Sequence, residues 1–115
     1  MTNQFILDNI KEAKEWLDKV NHPQIGESGF NMCDGILSNL KSFIHDENIW
    51  KKINDKEEKV FREFNKKKDD AKVKLKDVDP LFQWNEGAKF YANLRQWKSQ
   101  EMLVFWDKLS KEYDL

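Results

Sequence analysis

The chain has 115 residues, with 20 Lys and Arg against 21 Asp and Glu, a formal net charge of −1 and 36 % charged residues. That length makes one domain able to bury a core without metals or disulfides, and the balanced charge speaks for a wet, soluble surface and against an obligate polyanion binder. Cys33 is the sole cysteine, so an intrachain disulfide is excluded, which fits a reducing compartment.

The amino terminus, Met1-Thr-Asn-Gln-Phe-Ile-Leu-Asp, has no basic start ahead of an apolar run and does not read as a signal peptide. No stretch approaches the run of about 18 apolar residues that a membrane span requires. A cytoplasmic location is the resulting default expectation.

The first helix is expected from Gln4 to Val20, because Ile6, Ile10, Ala13, Leu17 and Val20 recur at steps of four and three with Phe5 and Trp16 beside them. Thr2 or Asn3 can cap it, and Glu15 with Lys19 forms a supporting pair in the favourable order. Asn21 to Asn31 reads as a loop, broken by Pro23, Gly26 and Gly29. A second helix follows from Asn31 to about Glu47, facing inward through Met32, Ile36, Leu40 and Phe43, with Cys33, Leu37 and Ile44 widening that face. Gly35 near its start either costs helix stability or marks the close approach of a neighbour.

Between Asp46 and Asn54 the helical rhythm of Ile49, Trp50 and Ile53 competes with a capping-box pattern, Asn54 with Glu57. The pattern predicts a kink or turn there and a third helix from Asp55 to about Asp77, with Val60, Phe64, Ala71, Leu75 and Val78 inward and Phe61 beside them. Asp55–Lys59, Glu58–Arg62, Glu63–Lys67 and Asp70–Lys74 are acid-before-base pairs at a spacing of four. Asp79 can then cap a fourth helix, with Pro80 in the first position, where a missing amide costs nothing.

That last helix, Pro80 to Tyr113, carries two apolar sides. Leu81, Trp84, Ala88, Tyr91, Met102, Phe105, Trp106, Leu109 and Tyr113 make a broad face, while Phe82, Phe90, Trp97 and Val104 make a narrower stripe rotated away from it. The second stripe is the expected protein-interface site if the helix does not lie between neighbours. The whole predicts an all-α, four-helix bundle-like domain whose third and fourth helices form a long antiparallel hairpin, with the first two packed across it.

Chemistry is sparse. His22 and His45 are the only imidazoles and Cys33 the only thiol, too few for a structural zinc site, and no Glu-x-x-His pair suits a diiron bundle. Ser28 lacks the strand-to-helix setting of an exposed nucleophile, and the glycines of its loop match no phosphate-cradling motif. No catalytic residues, no metal and no cofactor are therefore expected, and the chain reads as a non-enzyme. The stretch Lys51–Lys76 holds eleven Lys or Arg against six acids, densest at Lys66-Lys67-Lys68, which makes nucleic-acid binding the alternative reading. By helical phase those bases scatter around the helix, so the leading expectation is a small protein-binding module (an inhibitor, adaptor or regulator) that holds a protein partner or self-associates. A purely structural or oligomerisation role stands behind it. The density of Trp, Lys and Asn is similar to that of small proteins from AT-rich genomes, phage and mobile-element products among them.

Overall fold

The computed structural model describes residues 4–20, 28–76 and 80–113, and the side chains of all of these except 74, 75 and 80–86. Four helices follow in order: α1 (Gln4–Asp18), α2 (Ser28–Leu40), α3 (Glu47–Leu75) and α4 (Pro80–Glu112), with a 3₁₀ turn at Lys41–Phe43 between the second and third. The all-α, four-helix expectation holds, and α3 and α4 pack as a long hairpin. The capping residues Thr2, Asn3 and Asp79, together with His22, Pro23, Gly26 and Val78, lie outside the described residues.

The first helix ends two residues early, at Asp18, and its inward line is Ile6, Ile10, Ala13 and Leu17 as the spacing requires. Its partner departs more from expectation. α2 begins at Ser28, so Gly29 is no loop breaker: it is buried in the first turn of the helix. A Cβ at position 29 would stand 2.6 Å from the Trp16 carbonyl oxygen and 2.7 Å from Cγ1 of Val20. This glycine therefore allows one backbone to lie against another. Gly35 has open space where its Cβ would be, which removes the close-approach reading there.

The predicted inward face of α2 holds at Leu40 and at the residues expected to widen it, Cys33, Leu37 and Ile44, but not at Met32, Ile36 and Phe43. Phe30, Cys33, Leu37 and Leu40 are buried, whereas Met32 and Phe43 are exposed and Ile36 is half-buried. For Phe43 the reason lies after Leu40, where the chain leaves α-helical geometry and Ile44 becomes extended (φ −95°, ψ 124°). Phe43 is thereby freed from the helical phase that would have carried it inward, and it meets Phe5 edge-on, ring centroids 4.8 Å apart.

The predicted capping box at Asn54 does not form. Asp46 caps instead, its Oδ1 accepting from the amides of Asn48 at 2.8 Å and Ile49 at 3.2 Å. Those bonds satisfy two amides that would otherwise lack partners in a first turn, so α3 runs unbroken from Glu47 and draws Ile49 and Ile53 into the core. The indole of Trp50 donates back to the carbonyl of Ile44 and ties down the extended link.

Among the described side chains of α4, which leave out Leu81 and Trp84, those buried are Leu94, Ser99, Leu103, Trp106, Leu109 and Ser110. Trp106 and Leu109 were expected; Leu94 and Leu103 were not. Ala88, Tyr91 and Tyr113, assigned to the broad face, are exposed, and Met102 and Phe105 are half-buried. The central core joins α1, α2, the start of α3 and the end of α4. Val60, Phe64 and Leu94 are buried apart from that cluster, and Phe64 meets Tyr91 edge-on at 6.2 Å. Thus α1 and α2 pack on each other and on α4, while α3 packs chiefly on α4.

Candidate functional site

Because α2 and α3 both lean on α4 and make little contact with each other among the described residues, a groove of about 450 Å³ opens between them. Asp34, Leu37 and Ser38 of α2 form one wall, and Asn54, Glu57, Glu58, Val60 and Phe61 of α3 form the other. Lys98, Met102 and Trp106 of α4 are its floor. Its volume falls in the range of ligand-holding clefts, roughly 300–1,000 Å³. Phe61 stands at the edge with 57 % of its surface exposed, though the sequence pattern set it beside the inward line.

The walls are held at several points. Ser99, itself fully buried, donates to Asp34 Oδ1 at 2.7 Å. Arg95 lies 3.8 Å from Asp34 Oδ2 and donates to Asn31 at 2.8 Å, fixing α2 to α4. Lys41, three residues beyond Ser38, reaches Glu57 at 3.1 Å, and Arg62 pairs with Glu58 along α3. Lys98 has its ammonium 5.2 Å from the centre of the Phe64 ring. No buried side-chain nitrogen or oxygen among the described residues lacks a hydrogen-bond partner. The polar groups of the groove are therefore organised by the fold itself.

The expected aromatic stripe of α4 has a different character. Phe90 and Val104 lie at the surface, 39 % and 41 % exposed, pointing about 180° from Trp106 by helical phase. Trp97, midway between them, is half-buried. Its ring is covered by the Lys67 ammonium, 3.8 Å from the centroid. The side chain of Phe82 lies outside the described ones. The stripe is thus two exposed apolar residues either side of a capped tryptophan.

The lysine run divides. Lys67 goes to Trp97, whereas Lys68 lies 5.9 Å from the ring of Tyr91, on the opposite flank of α4. Lys66 is exposed. The same habit recurs at Lys52, 4.6 Å over Tyr113. With Lys98 over Phe64, four lysines thus meet four aromatic rings across the α3–α4 boundary.

Cys33 has no exposed surface, and burial, with Asp34 beside it, pushes its thiol up to about 12. A thiol so placed is protonated and inert at neutral pH. His45 is exposed. Among the described residues no three His, Cys, Asp or Glu side chains gather as a metal site, and no helix is long and apolar enough to cross a membrane. Compared with known proteins, the chain matches no family model, no curated protein and no solved structure.

Sequence reasoning missed the groove. Its signal lay in Phe61, one residue off the Val60–Phe64 line on a helix face otherwise charged, but the gap follows from how α2 and α3 each pack on α4.

Proposed function

We propose that this chain is a small protein-binding module, acting by binding and not by catalysis, and that its docking site is the groove between α2 and α3. The observation that carries this reading is the cleft itself, where the exposed Phe61 and the half-buried Met102 meet solvent above the buried Leu37, Val60 and Trp106. Recognition of a partner helix commonly takes this form, with apolar anchors entering a cleft whose rim is polar. The large exposed ring of Phe61 supplies an anchor of the kind that dominates interface energetics.

The experiment is site-specific crosslinking. A photoreactive phenylalanine analogue replaces Phe61 in the full chain, and a second variant carries it at Lys11 on α1 as control. Activation in cells of the protein's own source should give a discrete protein adduct from position 61 and none from position 11. Introducing Met102→Glu should abolish that adduct while the helical spectrum is retained. Identical adducts from both positions, or none from position 61, would remove the groove from consideration.

A second reading, self-association through α4, draws on the exposure of Phe90 and Val104 at heptad spacing from Trp97. Sedimentation of the wild-type chain over a range of concentrations tests it directly.

A further inference from the structure

We infer that one flank of the α3–α4 hairpin binds single-stranded nucleic acid, with Lys68, Lys72 and Lys76 on its phosphates and the ring of Tyr91 against its bases. The near-zero net charge conceals a strong segregation. Residues 59–76 and 87–98, the outer part of the hairpin, hold eleven Lys or Arg against three acids, a formal +8. The remainder holds nine against eighteen, a formal −9, and the two make up the −1 of the whole. Balanced charge argues against a polyanion partner only where both signs share one surface.

Within this outer part the sides of α3 differ. Lys68, Lys72 and Lys76 stand four residues apart, a line of about 12 Å along the flank that faces Tyr91. All three are exposed, and none has a carboxylate partner among the described residues. By helical phase Glu63 and Asp70 lie on the other flank, with Lys67 and Trp97, and Asp69 on the side turned away from α4. Between Gly87 and Gln100, α4 adds no acid. Nearer the other end of the hairpin the cations are matched: Lys41 with Glu57, Lys52 with Glu112, Lys56 with Glu101, Lys111 with Asp107. An aromatic ring holds a cation without neutralising it, so Lys68 at Tyr91 and Lys98 at Phe64 keep their full charge.

The rings choose between single and double strands. Tyr91 is 38 % exposed. The Lys68 ammonium stands 5.9 Å from its centre, at the outer limit of such a contact, whereas Trp97 is capped at 3.8 Å. Phe61, 57 % exposed, lies two turns before Lys68 on the same flank. Exposed rings beside a basic line suit unpaired bases, which stack on them with little regard to sequence, whereas a duplex keeps its bases stacked inside. At about 3.4 Å per stacked nucleotide, the lysine line covers about four. The strip meets the groove at Phe61, and its ligand is independent of the groove's protein partner.

The test is fluorescence anisotropy of a labelled oligothymidylate of about 12 nucleotides with the full-length protein. Binding should be micromolar at low salt, with a log–log salt slope of about −2, as three neutralised phosphates require. Lys68→Gln/Lys72→Gln/Lys76→Gln should weaken it about tenfold or more, and Tyr91→Leu about fivefold or more. Lys51→Gln/Lys59→Gln/Lys66→Gln removes the same charge from other sides of α3 and should weaken it less than about threefold. Every substituted residue is exposed, and a helical spectrum with a cooperative melt checks each variant. Absence of binding at low salt overturns the inference, as does equal weakening by the two triple variants, the mark of diffuse attraction. If a duplex of the same length binds more tightly and Tyr91→Leu changes nothing, the single-strand assignment is overturned. If polyglutamate of matching charge binds as tightly as the oligonucleotide, nucleic acid is overturned in favour of an acidic protein segment.

Discussion

Lys67 on α3 holds its ammonium 3.8 Å from the centre of the Trp97 ring on α4. The contact bridges the two arms of the hairpin at the midpoint of the stripe that the sequence offers as an interface. A desolvated ring face beneath a cation is worth about 0.5–2 kcal/mol, depending on exposure. A double-mutant cycle over Lys67→Ala and Trp97→Ala should give a coupling near the lower half of that range. Trp97→Ala alone should cost less than the roughly 3–5 kcal/mol of a fully buried aromatic, because the side chain is only half-buried. Chemical denaturation measures both, and a coupling near zero would show that Lys67 is merely beside the ring.

Two glycines of α2 should respond in opposite directions to alanine. Gly29→Ala forces a methyl against the Trp16 carbonyl and Val20, and overpacking of this kind costs about 1–3 kcal/mol. Gly35→Ala meets nothing within 4 Å, and it should gain about 0.5–1 kcal/mol from helix propensity alone. Equal effects in denaturant titrations would contradict the tight crossing of α1 and α2.

Where α3 begins can be tested in the same way. Asp46→Ala removes a side chain that accepts two amide bonds and should cost about 0.5–2 kcal/mol. Asn54→Ala sits mid-helix and exposed, so its effect should stay within about 0.5 kcal/mol. The reverse ranking would restore the capping box at Asn54.

These comparisons show what could be read in advance. The inward line of α1 was legible because Ile6, Ile10, Ala13 and Leu17 hold a strict rhythm with charged residues on the opposite side. On α4 the reading fails at Leu94 and Leu103. The helix has neighbours on two sides, and when apolar residues lie nearly all round, periodicity cannot say which are covered. The buried Ser99 and Ser110 compounded this, since small polar residues read as surface until their partners are known; Ser99 donates to Asp34 and Ser110 to the Asp107 carbonyl. On α2 the reading holds at Cys33, Leu37 and Leu40 and fails at Phe43, where the 3₁₀ turn interrupts the phase after Leu40. The groove was out of reach for a related reason: it is a gap between elements, and no single stretch encodes it.

The α4 register itself gives a further prediction. Leu103→Ala should cost about 2–5 kcal/mol by opening a cavity, since only 5 % of Leu103 is exposed. Val104→Ala, one residue on and at the surface, should fall within about 0.5 kcal/mol. Thermal melts of the pair would expose any rotation of α4 from the described arrangement.

Cys33 reports on opening. Its thiol is raised from 9.0 to about 12 by burial first and by Asp34 second. A folded value above the unfolded one means that the contribution to stability is complete below about pH 9 and declines as pH rises towards 12. The stability difference between the wild type and Cys33→Ala should therefore narrow across that interval. Near neutral pH a thiol-disulfide reagent should leave the native chain unlabelled and label it fully in denaturant. Rapid labelling of the native state would mean that α2 opens far more often than its packing implies.

The bond from Ser99 to Asp34 has a consequence for uniqueness. Leucines and isoleucines tolerate many ways of stacking two rods, and several rotations of α2 on α4 would bury similar amounts of oil-like surface. The observed rotation gives the fully buried hydroxyl of Ser99 a carboxylate acceptor, Asp34. A slip forfeits this bond to a carboxylate, worth about 1.5–3 kcal/mol, and leaves Ser99 only a carbonyl of its own helix, the kind of acceptor that Ser110 takes. One hydrogen bond thus favours the observed setting of α2 on α4 over others that bury similar apolar surface.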